Sequence, residues 1–263
     1  MKQFCIIGNP VEHSISPRLH NLAYKCLGVA ANYSRLKLEN AKDFREKFFT
    51  CKYDGANITV PYKEVAFANC DEVFGIAKQI EAVNTVVKRG DKLFGYNTDA
   101  PGFIKSIEEF KNIKNVLMLG AGGTAKALSF ALRENGLHVN ILNRSKNRLD
   151  FFNGANFNTF SHDENLPNSF DLLINTTSAG LKDNELPAPK ELLLGLIKNA
   201  KYAVDVIYNK ETPFIKLCKE TSLTCKDGSD MLLYQAVFAF NIFFDNRFNE
   251  EDITKAMRGA FTL

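Results

Sequence analysis

The stretch that most restricts the fold is Val116-Leu-Met-Leu-Gly-Ala-Gly-Gly-Thr-Ala-Lys126, continuing through Ala127-Leu-Ser-Phe-Ala-Leu-Arg133. Its opening apolar run has the character of a buried parallel strand. Gly120, Gly122 and Gly123 then make a tight turn, and Thr124 to Asn135 has helix composition closed by Gly136. The spacing is G-x-G-x-x-A, with Ala125 in the third small position. Such glycines let the backbone approach a pyrophosphate, and the helix that follows points unpaired N–H groups at it. Alone, the turn also fits an ordinary strand-to-helix connection. His138-Val-Asn-Ile-Leu-Asn143 supplies a second strand, which makes the whole a βαβ unit. Gly120, Ala121, Gly122, Gly123 and Thr124 are therefore candidate dinucleotide-binding residues.

The end of that second strand indicates which dinucleotide. An NAD site places an Asp or Glu there for the ribose 2′-hydroxyl. This chain has Asn143-Arg144-Ser145-Lys146, with Arg148 following and no acid. Guanidinium forks match phosphate oxygens, so these residues suit a 2′-phosphate and the expected cofactor is NADP(H). A solvated basic turn is the plainer alternative.

Bulk properties narrow the class. At 263 residues there is room for two domains. Hydrophobic residues at 45% and charged residues at 24% suit a globular protein with a sizeable core. A net charge of +3 without any Lys/Arg block argues against a nucleic-acid partner. The longest apolar run, Met231 to Phe244, is broken by Gln235 and Asn241 and is too short for a bilayer. The cysteines show no metal-ligand spacing. Because Met1-Lys-Gln-Phe-Cys-Ile-Ile-Gly8 lacks a signal-peptide pattern, reduced thiols and a cytoplasmic location are expected.

The first hundred residues carry a second set of candidates. Gln3 to Ile7 is a strand, and Ser16-Pro17 has the pattern of an N-cap followed by proline at the first helical position. Ser14 and Ser16 would then share a helix N-terminus, a place for a carboxylate or phosphate, or for capping alone. His13 and His20 flank this turn and are read as structural. Asn32 to Leu38 alternates as a strand, Ala41 to Thr50 is an amphipathic helix, and Ala56 to Thr59 is a strand halted by Pro61. Asn57, Thr59 and Lys63 thus fall near the end of a parallel strand, where open α/β sheets bind ligands. Residues 71–80 have helix composition. Ala82 to Lys88 and Leu93 to Tyr96 form a hairpin with Asn84 in mid-strand, and Asp99 precedes a helix from about Pro101 to Phe110.

In the remainder, Phe170 to Asn175 and Tyr202 to Tyr208 are buried strands, and a helix starts at Thr212. The polar loop after Asn175 is placed to approach a nicotinamide. Met231 to Phe244 is an apolar helix, in which Gln235 must find a partner in the backbone or on a substrate. A terminal helix is expected after Asn249.

Taken together and in this order, these segments resemble the shikimate dehydrogenase family along nearly the whole chain. The paired serines match Ser14 and Ser16, which implies that they bind the substrate carboxylate. N-x-T-x-P-x-K matches Asn57, Thr59 and Lys63, while A-V-N-T and N-T-D-x-x-G match Asn84 and Asp99. The Gly-rich turn and Asn143-Arg144-Ser145 with Arg148 match the NADP site. D-x-x-Y at 205–208 implies that Tyr208 touches substrate and Val206 lies near the nicotinamide. M-L-x-x-Q at 231–235 implies a substrate role for Gln235, and Gly228 matches the glycine beside the cofactor. Two departures stand out. Asp230 replaces a glycine common before the Met-Leu pair, and Thr124 and Lys126 replace the usual Ala and Arg.

The resemblance implies reversible NADPH-dependent reduction of 3-dehydroshikimate to shikimate, a step of aromatic amino-acid biosynthesis. Lys63 would be the proton donor and Asp99 its orienting carboxylate. The implied architecture is α/β with two domains and a cleft between them. The substrate domain would comprise 1–100 and 231–263, and the Rossmann-type NADP domain 101–230. A monomer or homodimer binding only small molecules, without a metal, is expected. Quinate dehydrogenase, methylene-tetrahydrofolate dehydrogenase and a non-enzymatic NADP-binding regulator are the competing readings. The double-serine pocket has no obvious use for a pterin, and a regulator would require a broken Lys63–Asp99 pair.

Overall fold

The structure, a computed structural model, describes residues 1–167 and 169–261. The chain opens with β1 (Lys2–Gly8), α1 (Ser16–Cys26), β2 (Ala31–Lys37), α2 (Phe44–Thr50) and β3 (Gly55–Ile58). It continues with α3 (Lys63–Asn69), β4 (Glu72–Val73), α4 (Ile76–Ile80), β5 (Thr85–Arg89), β6 (Lys92–Tyr96) and α5 (Asp99–Ser106). Next come β7 (Asn115–Leu119), α6 (Gly123–Glu134), β8 (His138–Leu142), α7 (Asp150–Gly154), β9 (Asn158–Phe160) and β10 (Leu172–Asn175). The last elements are α8 (Lys190–Asn199), β11 (Tyr202–Asp205), α9 (Pro213–Glu220), β12 (Thr224–Lys226), α10 (Ser229–Phe243) and α11 (Glu250–Arg258). No helix among the described residues is long and apolar enough to cross a membrane.

The first sheet has the order β2-β1-β3-β5-β6-β4. β1 is parallel to both β2 and β3, whereas β3–β5 and β5–β6 are antiparallel. β1 is buried on both faces, as its unbroken apolar run requires. Cys5 and Ile7 join a core with Phe44, Phe48 and Ile58. Phe4, on the opposite face of the pleat, stacks on Phe243 of α10 with ring centroids 4.5 Å apart. No residue of α10 is exposed, as expected for a helix without a polar face.

Local expectations fail at three places here. Residues 71–80 are not one helix: Glu72–Val73 pair with Phe94–Gly95 as a short edge strand, and Gly75 at φ +57° precedes the brief α4. A short helix is marginal by itself, and the free backbone edge of β6 offers these residues bonds that override their composition. Asn84 lies before β5 rather than within it. α5 begins at Asp99 and ends at Ser106, earlier at both ends than its composition suggests.

The second sheet runs β12-β11-β10-β7-β8-β9, with every pair parallel. Counted in chain order within this sheet, that is the 3-2-1-4-5-6 arrangement of a dinucleotide-binding fold. β7 is covered on both sides, Val116 and Met118 facing one core and Leu117 and Leu119 another. α6 buries Ala125, Leu128 and Leu132 along one stripe against the sheet. The strand order reverses between β7 and β10, so ligand-binding loops are expected beyond their carboxyl ends. β11 stops at Asp205, which leaves Val206 to Tyr208 outside the strand expected there.

The chain divides into two compact units. One comprises Met1–Gly102 with the described residues from Leu233 onward, and the other comprises Phe103–Leu232. The divisions fall within α5 and α10.

Candidate functional site

In the first unit, Lys63 opens α3 and Asp99 opens α5. Lys63 Nζ donates to Asp99 Oδ2 at 2.6 Å, with side chains 30% and 16% exposed respectively. The pair is thus shielded yet reachable by a ligand. A buried polar net holds both ends. Val83 N–H donates to the Lys63 carbonyl at 3.0 Å. Asn84 Oδ1 accepts from Thr98 N–H at 2.7 Å, and Asn84 Nδ2 donates to Thr98 Oγ1 at 3.0 Å. Asn97 Oδ1 accepts from Ala100 N–H at 3.2 Å. The carboxylate beside them is therefore free of capping duty and turns to the lysine.

Asn57 is tied to the same net. Its Oδ1 accepts from Tyr33 OH at 2.7 Å and its Nδ2 donates to Thr85 Oγ1 at 3.1 Å. Thr59 follows β3 directly. Gln235 lies on α10 where Gly102 of α5 approaches closely. A Cβ on Gly102 would stand 2.6 Å from Gln235 N, so only glycine lets the two helices meet.

Ser14 and Ser16 do sit together at the start of α1, but not as expected. Ile15 occupies the cap position and makes no side-chain cap bond, while Ser16 is the first helical residue. Ser14 Oγ accepts the Ser16 N–H at 3.3 Å and donates to Ser16 Oγ at 3.2 Å. Arg35 Nη2 donates to the Ser14 carbonyl at 2.6 Å. Two hydroxyls beside a helix N-terminus can receive a carboxylate.

In the second unit, a cavity of about 880 Å³ opens at the carboxyl ends of β7, β8 and β10. Its walls include Gly120, Ala121 and Gly122 on one side and Asn143, Arg144, Ser145 and Arg148 on another, with Thr176 to Ala179 between. Gly120 adopts φ +107°, a conformation that requires glycine, and a Cβ there would also press on Thr176 and Thr177. Around Gly122 and Gly123 a Cβ would meet nothing within 4 Å, so space for a ligand adjoins the start of α6. Glycine-lined space, helix N–H groups and two guanidinium side chains fit a phosphorylated dinucleotide. Several expected cofactor residues stand outside this wall: Gly123, Thr124, Lys146, Val206 and Gly228. Lys146 Nζ is engaged instead by Asp163 and Glu164 at 3.3 and 3.5 Å.

Comparison with known proteins fits both units. Residues 6–86 match the shikimate dehydrogenase substrate binding domain. The NADP(+)-dependent shikimate dehydrogenase of Helicobacter hepaticus is 45% identical over 252 residues, covering 95% of this chain and 94% of that protein. This chain belongs to the shikimate dehydrogenase family. A further member, from Desulfitobacterium hafniense, is 35% identical and both chains are fully covered. The crystal structure of shikimate 5-dehydrogenase from Thermus thermophilus in complex with NADP(H) and shikimate is 33% identical. It superposes with a TM-score of 0.87 over 99% of this chain and 100% of that one.

The structure accommodates two of the residues at which the sequence departs from the pattern expected of the family, Asp230 and Lys126. Asp230 pairs with Lys226 at 2.7 Å, where the same ammonium also reaches the Ser106 carbonyl and Glu109. Lys126 lies over the Phe151 ring at 4.3 Å, outside the Gly-rich turn. Gly228 is needed because the Val206 backbone occupies the place of its Cβ. Asp205 anchors that segment: buried, it accepts from Thr212 Oγ1, Asn175 Nδ2 and Ile207 N–H at 2.6 to 3.0 Å. Burial pushes its carboxyl up, and those donors oppose the rise. Tyr208 follows it, half-buried, and burial raises its hydroxyl.

Sequence reading missed part of the cavity wall. His162, after β9, and the loop from Asp183 to Lys190 both line it. A single histidine in a polar stretch and a Pro-rich loop carry no periodicity or spacing that would single them out.

Proposed function

We propose that this chain is an NADP-dependent shikimate dehydrogenase, reducing 3-dehydroshikimate reversibly to shikimate in aromatic amino-acid biosynthesis. The observation that carries the chemistry is the shielded Lys63–Asp99 pair, with Nζ and Oδ2 2.6 Å apart. The first unit binds the substrate and the second binds the dinucleotide. When bound, the dinucleotide supplies a hydride to the substrate carbonyl carbon. Lys63, as an ammonium, donates a proton to the oxygen on which negative charge develops and stabilises that charge before transfer. Asp99 fixes the direction of the ammonium. Partial exposure of Lys63 lets solvent return its proton.

Ser14 and Ser16 receive the substrate carboxylate through their hydroxyls and the N–H groups of α1. Thr59 and Gln235 bond the ring hydroxyls. For Asn57 and Asn84 the bonds to Tyr33, Thr85 and Thr98 support a bracing role, which holds Asp99 through Thr98. Gly120 to Thr124 cradle the pyrophosphate, and Val206 and Gly228 flank the nicotinamide. Asn143, Arg144, Ser145 and Arg148 hold the 2′-phosphate, while Lys146 is held by Asp163 and Glu164 beside them. Free thiols, including buried Cys5 and Cys218, suit the reducing cytoplasm. The protein acts there as a monomer or homodimer.

The test is a nicotinamide-absorbance assay with shikimate and quinate, each against NADP⁺ and NAD⁺. Turnover with shikimate and NADP⁺ above the other combinations is expected. Preference for quinate, or no turnover with any pair, contradicts the reading.

A further inference from the structure

One side chain in the wall of the dinucleotide cavity has no part in the roles above. His162 lines that cavity together with Arg144, Ser145 and Arg148. Strand register brings them together. β8 and β9 are parallel with Leu142 beside Phe160, and Asn143 N–H donates to the Phe160 carbonyl at 3.0 Å. The segments leaving the two strands, Asn143–Arg148 and Ser161–His162, therefore emerge side by side.

The neighbours of His162 are committed elsewhere. Ser161 is buried; its N–H donates to Glu164 at 2.8 Å and its hydroxyl to Asp163 at 2.5 Å. Both carboxylates also face the Lys146 ammonium. This arrangement pins the turn on either side of His162 and leaves the imidazole on the cavity wall. Arg144, Arg148 and Lys190 are the cations around the cavity, and Asp183 and Glu185 its acids. Asp183 is already bonded to the N–H groups of Gly180 and Glu185 at 2.7 and 3.0 Å.

We propose that His162 is a specificity-determining member of the 2′-phosphate site, binding the phosphate as an imidazolium, so that the protein takes up a proton when it binds NADP(H) and none when it binds NAD(H). The inference rests on the NADP reading above. Without a ligand, burial and the Arg144 guanidinium both hold the imidazole below its ordinary pKa, with Asp163 opposing. The ring is therefore neutral at neutral pH. A phosphate dianion among these cations reverses the local field, because its oxygens accept a bond from the protonated ring and favour the charge. Solvent supplies the proton. A dinucleotide ending in a 2′-hydroxyl offers no such anion, so the preference for NADP(H) grows towards acid pH.

Calorimetric titration with NADP⁺ and NAD⁺ near neutral pH, in buffers of different ionisation enthalpy, measures the protons exchanged. His162→Asn and His162→Gln are the comparison variants, both polar and neither titrating. The second ionisation of the phosphate, at about pH 6, leaves it mostly dianionic near neutral pH whether free or bound, so it contributes little to the difference. Wild type is expected to take up more protons than either variant with NADP⁺ and the same number with NAD⁺. The variants should lose roughly 10- to 150-fold in NADP⁺ affinity, the worth of one charge-assisted bond, and nothing for NAD⁺. Equal proton uptake in wild type and variants, or equal losses for both dinucleotides, overturns the inference while leaving the NADP reading intact. Wild type that shows no preference for NADP⁺ overturns both.

Discussion

Lys63 Nζ and Asp99 Oδ2 are 2.6 Å apart although 36 positions separate the residues in sequence. Each stands at the first position of a helix, α3 and α5, and Asn84 holds the turn before Asp99. If Asp99 acts by aiming the ammonium, Asp99→Ala should lower kcat by about 10²-fold, the usual cost of a misplaced group. Lys63→Ala/Asp99→Ala should then be no slower than Lys63→Ala within a few-fold, since groups acting as a unit do not add. Multiplying losses in the double variant would show that the two act independently.

Arg144 tests the cofactor assignment. Arg144→Ala should weaken NADPH binding while NADH binding changes little, as measured by fluorescence titration of each. Equal losses would place Arg144 on a part of the dinucleotide common to both.

Gly102 tests the helix contact beneath Gln235. A Cβ would stand 2.6 Å from Gln235 N, and neither backbone can yield without shifting a helix. Gly102→Ala should lower stability by about 1–3 kcal/mol and raise KM for shikimate through displaced Gln235. Unchanged thermal stability together with unchanged KM would refute the contact.

His20 gives a stability signature with pH. It is buried, stacks on Tyr33 at 4.2 Å, and has no hydrogen-bond partner for either ring nitrogen. Burial pushes its pKa down to about 3, against about 6.5 in an unfolded chain. Between those values the unfolded chain binds a proton that the folded chain does not. Stability is therefore untouched above about 6.5 and falls as pH drops, by up to ~1.4 kcal/mol per unit. His20→Phe keeps the stack and removes the proton, so denaturant titrations from about pH 6.5 to 4.5 should show the wild type losing about 2 kcal/mol more than the variant. Parallel losses would contradict this.

The second unit was the more legible in sequence because its parallel strands are continuous apolar runs. Val116–Leu119, Ile141–Leu142 and Leu172–Ile174 announce themselves, and the turn at Gly120 fixes the direction of the chain. What escaped was local competition. Residues 71–74 have helical composition but take the backbone bonds offered by β6, and Ser16 yields the cap position to Ile15 while Ser14 takes its N–H. Asp99 was visible as an acid at a helix start. Its choice of Lys63 over capping depends on Asn97, which supplies the bond to Ala100. His162 enters the cavity only through the register of β8 and β9, which no property of the residue itself conveys.

The central claim is that Lys63 protonates the oxygen formed from the substrate carbonyl, and steady-state kinetics of Lys63→Ala with 3-dehydroshikimate and NADPH test it directly. A kcat lower by roughly 10²–10⁴, the worth of a positioned acid, with KM little changed, is the predicted result. A variant that keeps more than about half of the wild-type kcat, far above that range, would contradict the account.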